Sequence, residues 1–199
     1  MIARKNLARA AFASLIALGS AGVPAADPAS VFDQQCAVCH GKNGASTEPK
    51  IPIIGGYSAK YLIDSLALFR KKTRTCAEVA IPAGPKKGTK SDMCKVVAEL
   101  SDADGEAISK WLASQKFVRA KQPFDAAKAQ KATAVYKLRC EKCHEDNGIL
   151  AGQWTPYLRD QLVGFRTGRR PIDDKMKQRL DKVTPEEEDL LLHFFASQQ

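Results

Sequence analysis

Two pentapeptides hold the most chemically loaded residues of this 199-residue chain: Cys36-Ala37-Val38-Cys39-His40 and, 104 residues later, Cys140-Glu141-Lys142-Cys143-His144. Cysteines three positions apart lie on one side of a helical turn, so both sulfurs reach the same flat ligand, and the adjacent histidine faces its centre. This is the pattern by which a chain adds two thiols to the vinyl groups of a haem and offers an imidazole to its iron. Zinc needs four donors per site, and a redox Cys-x-x-Cys sits in an α/β chain. The repeated motif therefore predicts two covalently bound haem c groups, anchored by Cys36, Cys39, Cys140 and Cys143, with His40 and His144 as iron ligands.

A sixth ligand decides between carrier and enzyme, because a thioether favours ferrous iron, raises the potential and closes the metal to substrates. Beyond Met1 the chain has only Met93 and Met176. They fall one to each half at equivalent places, and both are expected to be axial. Cys94 is a rival to Met93. It pairs naturally with Cys76 across a Pro/Gly/Lys-rich insertion, and such a disulfide would stabilise by roughly 3 kcal/mol on the chain-entropy model. The alternative is a Cys94 thiolate on the first iron, which would lower its potential and point to catalysis on sulfur compounds. His193 is expected to be a packing or surface residue rather than a ligand.

These residues sit in an internal duplication. Tyr61-Leu62, Asp64, Leu66 and Phe69-Arg70 recur 96 positions on as Tyr157-Leu158, Asp160, Leu162 and Phe165-Arg166, and Ile53-Ile54-Gly55-Gly56 recurs as Ile149-Leu150-Ala151-Gly152. Met93, Leu100-Ser101, Ile108 and Trp111 recur at an offset of 83 as Met176, Val183-Thr184, Leu191 and Phe194. The falling offset places eight extra residues after the first pentapeptide and 13 more before Met93. Apolar periodicity predicts helices over 29–39, 58–72 and 102–115 in one copy and 124–143, 155–166 and 185–197 in the other, with Ser101 and Thr184 as N-caps and Pro185 as a first helical residue. Alternating β-branched runs are absent. The expected fold is all-α, with two tandem haem domains at 27–116 and 117–199.

A basic start at Arg4, Lys5 and Arg9, an apolar run too short to span a bilayer, and small residues at Ala25 and Ala26 predict a signal peptide over 1–26, cleaved near Ala25 or Ala26. Its loss takes the net charge from +9 to +6. A composition 44% hydrophobic and 27% charged excludes disorder and a membrane bundle. The mature protein is expected in the periplasm with no transmembrane anchor, where nucleic acid is not a partner. Arg70, Lys71, Lys72 and Arg74, with Arg166, Arg169 and Arg170, read as solvated helix ends. Docking of an acidic partner or neutralisation of haem propionates are the alternatives.

With these residues in place, the chain resembles dihaem class I cytochromes c related to cytochrome c4. It resembles more closely the cytochrome subunit of flavocytochrome c sulfide dehydrogenase. The closer likeness rests on Cys140-Glu141-Lys142-Cys143-His144, Gly152-Gln153-Trp154-Thr155-Pro156-Tyr157, Arg169-Arg170-Pro171 and Phe195-Ala196-Ser197-Gln198-Gln199. The resemblance implies a non-catalytic electron-transfer subunit, with axial pairs His40/Met93 and His144/Met176. Its donor would be a separate FAD-containing flavoprotein that oxidises sulfide, and its acceptor a soluble cytochrome. A free-standing cytochrome c4-like shuttle and a dihaem thiosulfate-oxidising enzyme are the competing expectations.

Overall fold

A computed structural model describes residues 27–144 and 150–199, so the expected signal peptide, residues 1–26, and Ile149 of the second repeat lie outside the described residues. The first half runs α1 (Pro28–Gln35), α2 (Ala37–His40), a short 3₁₀ turn, α3 (Ala59–Arg70), a two-stranded pair β1 (Val79–Ala80) and β2 (Lys90–Ser91), α4 (Met93–Glu99) and α5 (Asp102–Ala113). The second half runs α6 (Ala126–Arg139), α7 (Thr155–Arg166), α8 (Asp174–Leu180) and α9 (Pro185–Ser197). Among the described residues no helix is long and apolar enough to cross a membrane.

Local chemistry sets the helix starts. Ser58, Asp92, Ser101 and Asp125 each accept the backbone N–H three residues ahead, satisfying a donor that the first helical turn leaves free. Thr184 and Glu187 form a reciprocal capping box ahead of α9. Two features depart from the sequence expectation. The helix expected over 29–39 breaks at Cys36 (φ −118°), which lets α2 wind as a separate turn. The short helices α4 and α8, which carry the two methionines, were expected as loops; each has seven residues, too few for apolar periodicity to register.

The duplication holds at the level of contacts. Phe32 packs on Trp111 with ring centroids 5.1 Å apart, and their repeat equivalents Tyr136 and Phe194 lie 4.9 Å apart. These pairs seat the first helix of each half on its last, α1 on α5 and α6 on α9. Gly56 N–H donates to Leu112 O at 2.9 Å, and its equivalent Gly152 N–H donates to Phe195 O at 2.9 Å. Both glycines have positive φ, and a Cβ at Gly152 would meet Arg119 Cβ at 2.6 Å. Arg70 Nη2 donates to Leu100 O as Arg166 Nη2 donates to Val183 O. Two separate buried clusters result, one around Phe32, Leu62, Ile108 and Leu112, the other around Tyr136, Leu158, Leu191 and Phe195.

The halves join through buried polar contacts. Gln153, fully buried, accepts from Ile53 N at 3.0 Å and donates to Ile53 O at 2.8 Å and Tyr57 Oη at 2.6 Å. Trp154 Nε1 donates to Ser46 O at 2.9 Å, and Thr75 N donates to Arg169 O at 2.7 Å. The reading of the arginines as solvated helix ends is corrected for Arg74, which is only 7% exposed. Arg74 lies over Phe69 and donates to Gln161 Oε1 at 2.6 Å and Tyr157 Oη at 3.4 Å. Its equivalent Arg170 lies over Phe165 and donates to the same Gln161 oxygen at 2.8 Å and to Tyr61 Oη at 2.8 Å. Each arginine thus reaches the tyrosine of the opposite half. Replacing Gln153 with Ala leaves the Ile53 amide and carbonyl buried without their partners. It should cost about 2–4 kcal/mol in guanidinium unfolding followed by circular dichroism, whereas an unchanged midpoint would contradict this account of the interface.

Candidate functional site

Among the described residues a cavity lies against each pentapeptide, and every residue assigned chemistry there lines it. The first cavity is bordered by Cys36, Cys39, His40 and Met93, the second by Cys140, Cys143, His144 and Met176. The cysteine turns are built alike. Cys36 N–H donates to Phe32 O at 2.8 Å and Cys140 N–H to Tyr136 O at 2.8 Å, and backbone dihedrals at the two cysteines are φ −118°, ψ −38° and φ −119°, ψ −41°. His40 N–H then closes the turn onto Cys36 O at 2.9 Å, and His144 N–H onto Cys140 O at 3.0 Å. The same backbone bend therefore presents two sulfurs and an imidazole to each cavity.

His40 Nδ1 lies 3.0 Å from Pro52 O, the geometry of a donated hydrogen bond. That contact selects the tautomer whose Nε2 lone pair is free for a metal and fixes the ring plane. Burial pulls the pKa of His40 below its ordinary value, opposed by the Pro52 carbonyl, and burial lowers His144 as well. Both imidazoles are therefore neutral near pH 7, the form that ligates iron. Burial, reinforced by Cys39, pushes the Cys36 thiol up to about 11, and burial pushes Cys140 to about 11. A reactive redox cysteine depends on a depressed pKa, so the burial of these thiols opposes thioredoxin-like chemistry. Among the described residues the one compact group of His, Cys, Asp or Glu is Cys76, Asp92 and Cys94, and its two sulfurs are bonded to each other.

The remaining walls fit a large, flat, mostly apolar ligand. Leu62, Leu66 and Ile108 face the first cavity; Leu158, Leu162 and Leu191, their repeat equivalents, face the second. An apolar cavity wall left without an occupant is costly, because its lining atoms lack partners. A haem joined through two thioethers and held by imidazole and thioether sulfur meets the donor set at both sites. Cys76 borders the first cavity and is disulfide-bonded to Cys94, with Cα atoms 5.7 Å apart. His193 faces neither cavity; its Nδ1 accepts from Asp125 N at 3.0 Å at the start of α6.

Sequence reasoning missed the wall between the two sites. Tyr57, Tyr61, Tyr157, Gln161 and Arg170 border both cavities. Burial acts to raise Tyr61, but Arg170 and then Arg74 outweigh it and hold its hydroxyl below the ordinary range. Burial raises Tyr157, with Tyr61 adding to the effect. The one available signal was the recurrence of Arg74 as Arg170 at the same 96-residue offset as the tyrosines.

Comparison with known proteins agrees with this architecture. A family model described as cytochrome c matches residues 25–116. Cytochrome c4 of Pseudomonas aeruginosa is 28% identical over 157 residues, covering 71% of this chain and 71% of that protein. The crystal structure of reduced recombinant cytochrome c4 from Pseudomonas stutzeri has a TM-score of 0.69 at 24% identity and covers 86% of this chain and 97% of that one. Thiosulfate dehydrogenase (TsdBA) from Marichromatium purpuratum, in its as-isolated form, has a TM-score of 0.63 at 25% identity; 82% of this chain corresponds to 36% of that one. Fold and site define a class I cytochrome c architecture present twice in tandem, with two covalently bound haems. Within that class the chain is similar to cytochrome c4.

The haem count gives a direct check. Wild type should carry two haems per chain by pyridine haemochrome assay and intact mass, and a variant with Cys140→Ala and Cys143→Ala should carry one. Two covalent haems in that variant would contradict the anchoring role of the second pair.

Proposed function

We propose that this chain is a two-site electron wire in which Cys36 with Cys39 and Cys140 with Cys143 anchor the haems. His40 with Met93 and His144 with Met176 supply the axial pairs. Domains over 27–116 and 117–199 are the corresponding units, and the secreted form begins after Ala25 or Ala26. A haem iron held by imidazole and thioether accepts and releases one electron without an open coordination position. The observation that carries this reading is the shared wall: the side chains of Tyr61, Tyr157, Gln161 and Arg170 border both cavities, so one protein layer separates the two redox sites. Pro52 orients His40, and the apolar lining would lower the polarity around an iron held there, which limits the charge rearrangement that accompanies each transfer.

The donor we infer is a separate FAD-containing flavoprotein that oxidises sulfide in the periplasm, and the acceptor a soluble cytochrome. The resemblance in the second half supports this donor. In the structure Gln153, Trp154 and Tyr157 of that motif contact the first half, so these residues serve the dihaem arrangement itself. The likeness to cytochrome c4 over 71% of both chains favours a second reading, a free shuttle between soluble or membrane-bound partners. Isolation from the native cell decides between them: the flavoprotein reading predicts an FAD protein co-purifying at a fixed ratio, and a chain always recovered alone leaves the shuttle. A dihaem thiosulfate oxidase is disfavoured, because a Cys94 sulfur bonded to Cys76 has no thiolate to offer iron.

Met176→Ala tests the ligand assignment. Its expected result is loss of the far-red sulfur-to-iron band from one haem, a lower potential for that haem, and binding of cyanide there. The half-buried side chain adds a stability loss of about 1–2 kcal/mol. An unchanged spectrum would refute the role of Met176.

A further inference from the structure

The two halves differ most in how the methionine helix is tethered to the middle helix. In the second half, α7 ends at Arg166 and α8 begins at Asp174, so a strap of seven residues leads to the helix that holds Met176. In the first half, α3 ends at Arg70 and α4 begins at Met93, and the strap has 22 residues. A longer tether lowers the effective concentration of its end at the cavity. Ile81 is buried and exposed Glu78 pairs with Lys95 of α4 at 3.4 Å, contacts that restrain only part of the insertion. Its residues 83–90 are exposed, and β1 and β2 pair over only two residues each, too little for a hairpin to be stable alone.

The disulfide cuts this path short. Thr73 and Arg74 N–H donate to Leu68 O at 3.0 and 3.2 Å, and Thr75 N–H to Arg169 O at 2.7 Å, so the strap is fixed up to Cys76. Cys76 is bonded to Cys94, the residue after Met93, and Cys94 Sγ lies 3.4 Å from Phe69 O at the end of α3. At the repeat offsets of 96 and 83, Cys76 and Cys94 correspond to Ile172 and Lys177, five residues apart, whereas the cysteines are 18 apart in sequence. The bridge joins the two positions that the shorter strap of the second half already keeps close.

We propose that the Cys76–Cys94 disulfide is a positioning element for the first iron's methionine: it compensates for the insertion and holds Met93 at the first cavity as the short strap holds Met176 at the second. This rests on Met93 being the axial ligand. The bridge touches no iron and transfers no electron; it acts through the start of α4, whose cap, Asp92, accepts from Lys95 N at 3.0 Å.

The test uses the full dihaem protein with Cys76→Ser and Cys94→Ser together. The bridge holds these positions as close as the five-residue spacing of the second half does, and opening it to the 18-residue path should weaken Met93 binding about sevenfold by the −3/2 power law. The apparent affinity of haem 1 for imidazole should rise by that factor, its potential should fall, and the axial-methionine methyl signal of haem 1 should broaden in the NMR spectrum of the reduced protein. Haem 2 is the internal control for folding. A second variant carries the same two serines and also lacks residues 78–90, which restores the five-residue spacing; it should bind imidazole as wild type does. Unchanged imidazole affinity in the double variant, or failure of the shortened variant to recover, overturns the proposal. If the double variant does not accumulate while the shortened one does, ring closure is the property that matters, and the proposal stands. Met93→Ala separates the two levels: a retained methionine signal at haem 1 in that variant defeats the ligand assignment itself, whatever the cysteine variants do.

Discussion

Each half of this chain folds as a helical shell around an apolar space that its own side chains do not fill, and that constraint governs the rest. A domain of about 85 residues buries too little apolar surface to be comfortably stable, so a covalently retained haem completes the core. The break at Cys36, repeated at Cys140, aims two sulfurs and an imidazole into that space. The first and last helices, locked by Phe32 on Trp111 and Tyr136 on Phe194, form the frame to which the turns are attached.

The contact between halves follows from the duplication. Because Arg74 and Arg170 occupy equivalent places, a near two-fold arrangement lets each reach the opposite half's tyrosine, and one oxygen of Gln161 accepts from both. Two cations brought this close would repel. Stacking on Phe69 and Phe165 and the shared acceptor offset that repulsion, with cation–π contacts worth more where water is excluded. Gln153 adds a fully satisfied link to this polar contact, which specifies one docking geometry instead of a family of sliding ones. Gln161 and Arg170 also border both cavities, so the packing that fixes the orientation of the halves also fixes the medium between them.

Much of this was legible in the sequence because covalent chemistry leaves dense signals. The Cys-x-x-Cys-His spacing marked both cavities, and the scarcity of methionine singled out the two that line them. The helices expected over 58–72, 102–115, 155–166 and 185–197 from apolar spacing and the caps Ser101 and Thr184 form at 59–70, 102–113, 155–166 and 185–197. Other features were hidden for physical reasons. Helices α4 and α8 owe their existence to Asp92 and Asp173 capping and to tertiary contacts, not to a repeating pattern. Arg74 looked like a solvated helix end because a cation beyond a C-terminus is favourable with or without a partner. Its burial depends on Tyr157 and Gln161, more than 80 positions away. Gln153 was visible as part of a family motif, but its role in joining the halves was not.

The central claim is that both irons are held by imidazole and thioether, which makes the protein a conductor instead of a reactor. Near-infrared magnetic circular dichroism of the oxidised, as-isolated protein tests this most directly, because the ligand-to-iron charge-transfer energy reports the axial pair. Intensity corresponding to two histidine–methionine haems per chain is the expected result. A high-spin component, or a band of thiolate character equivalent to one haem, would contradict it.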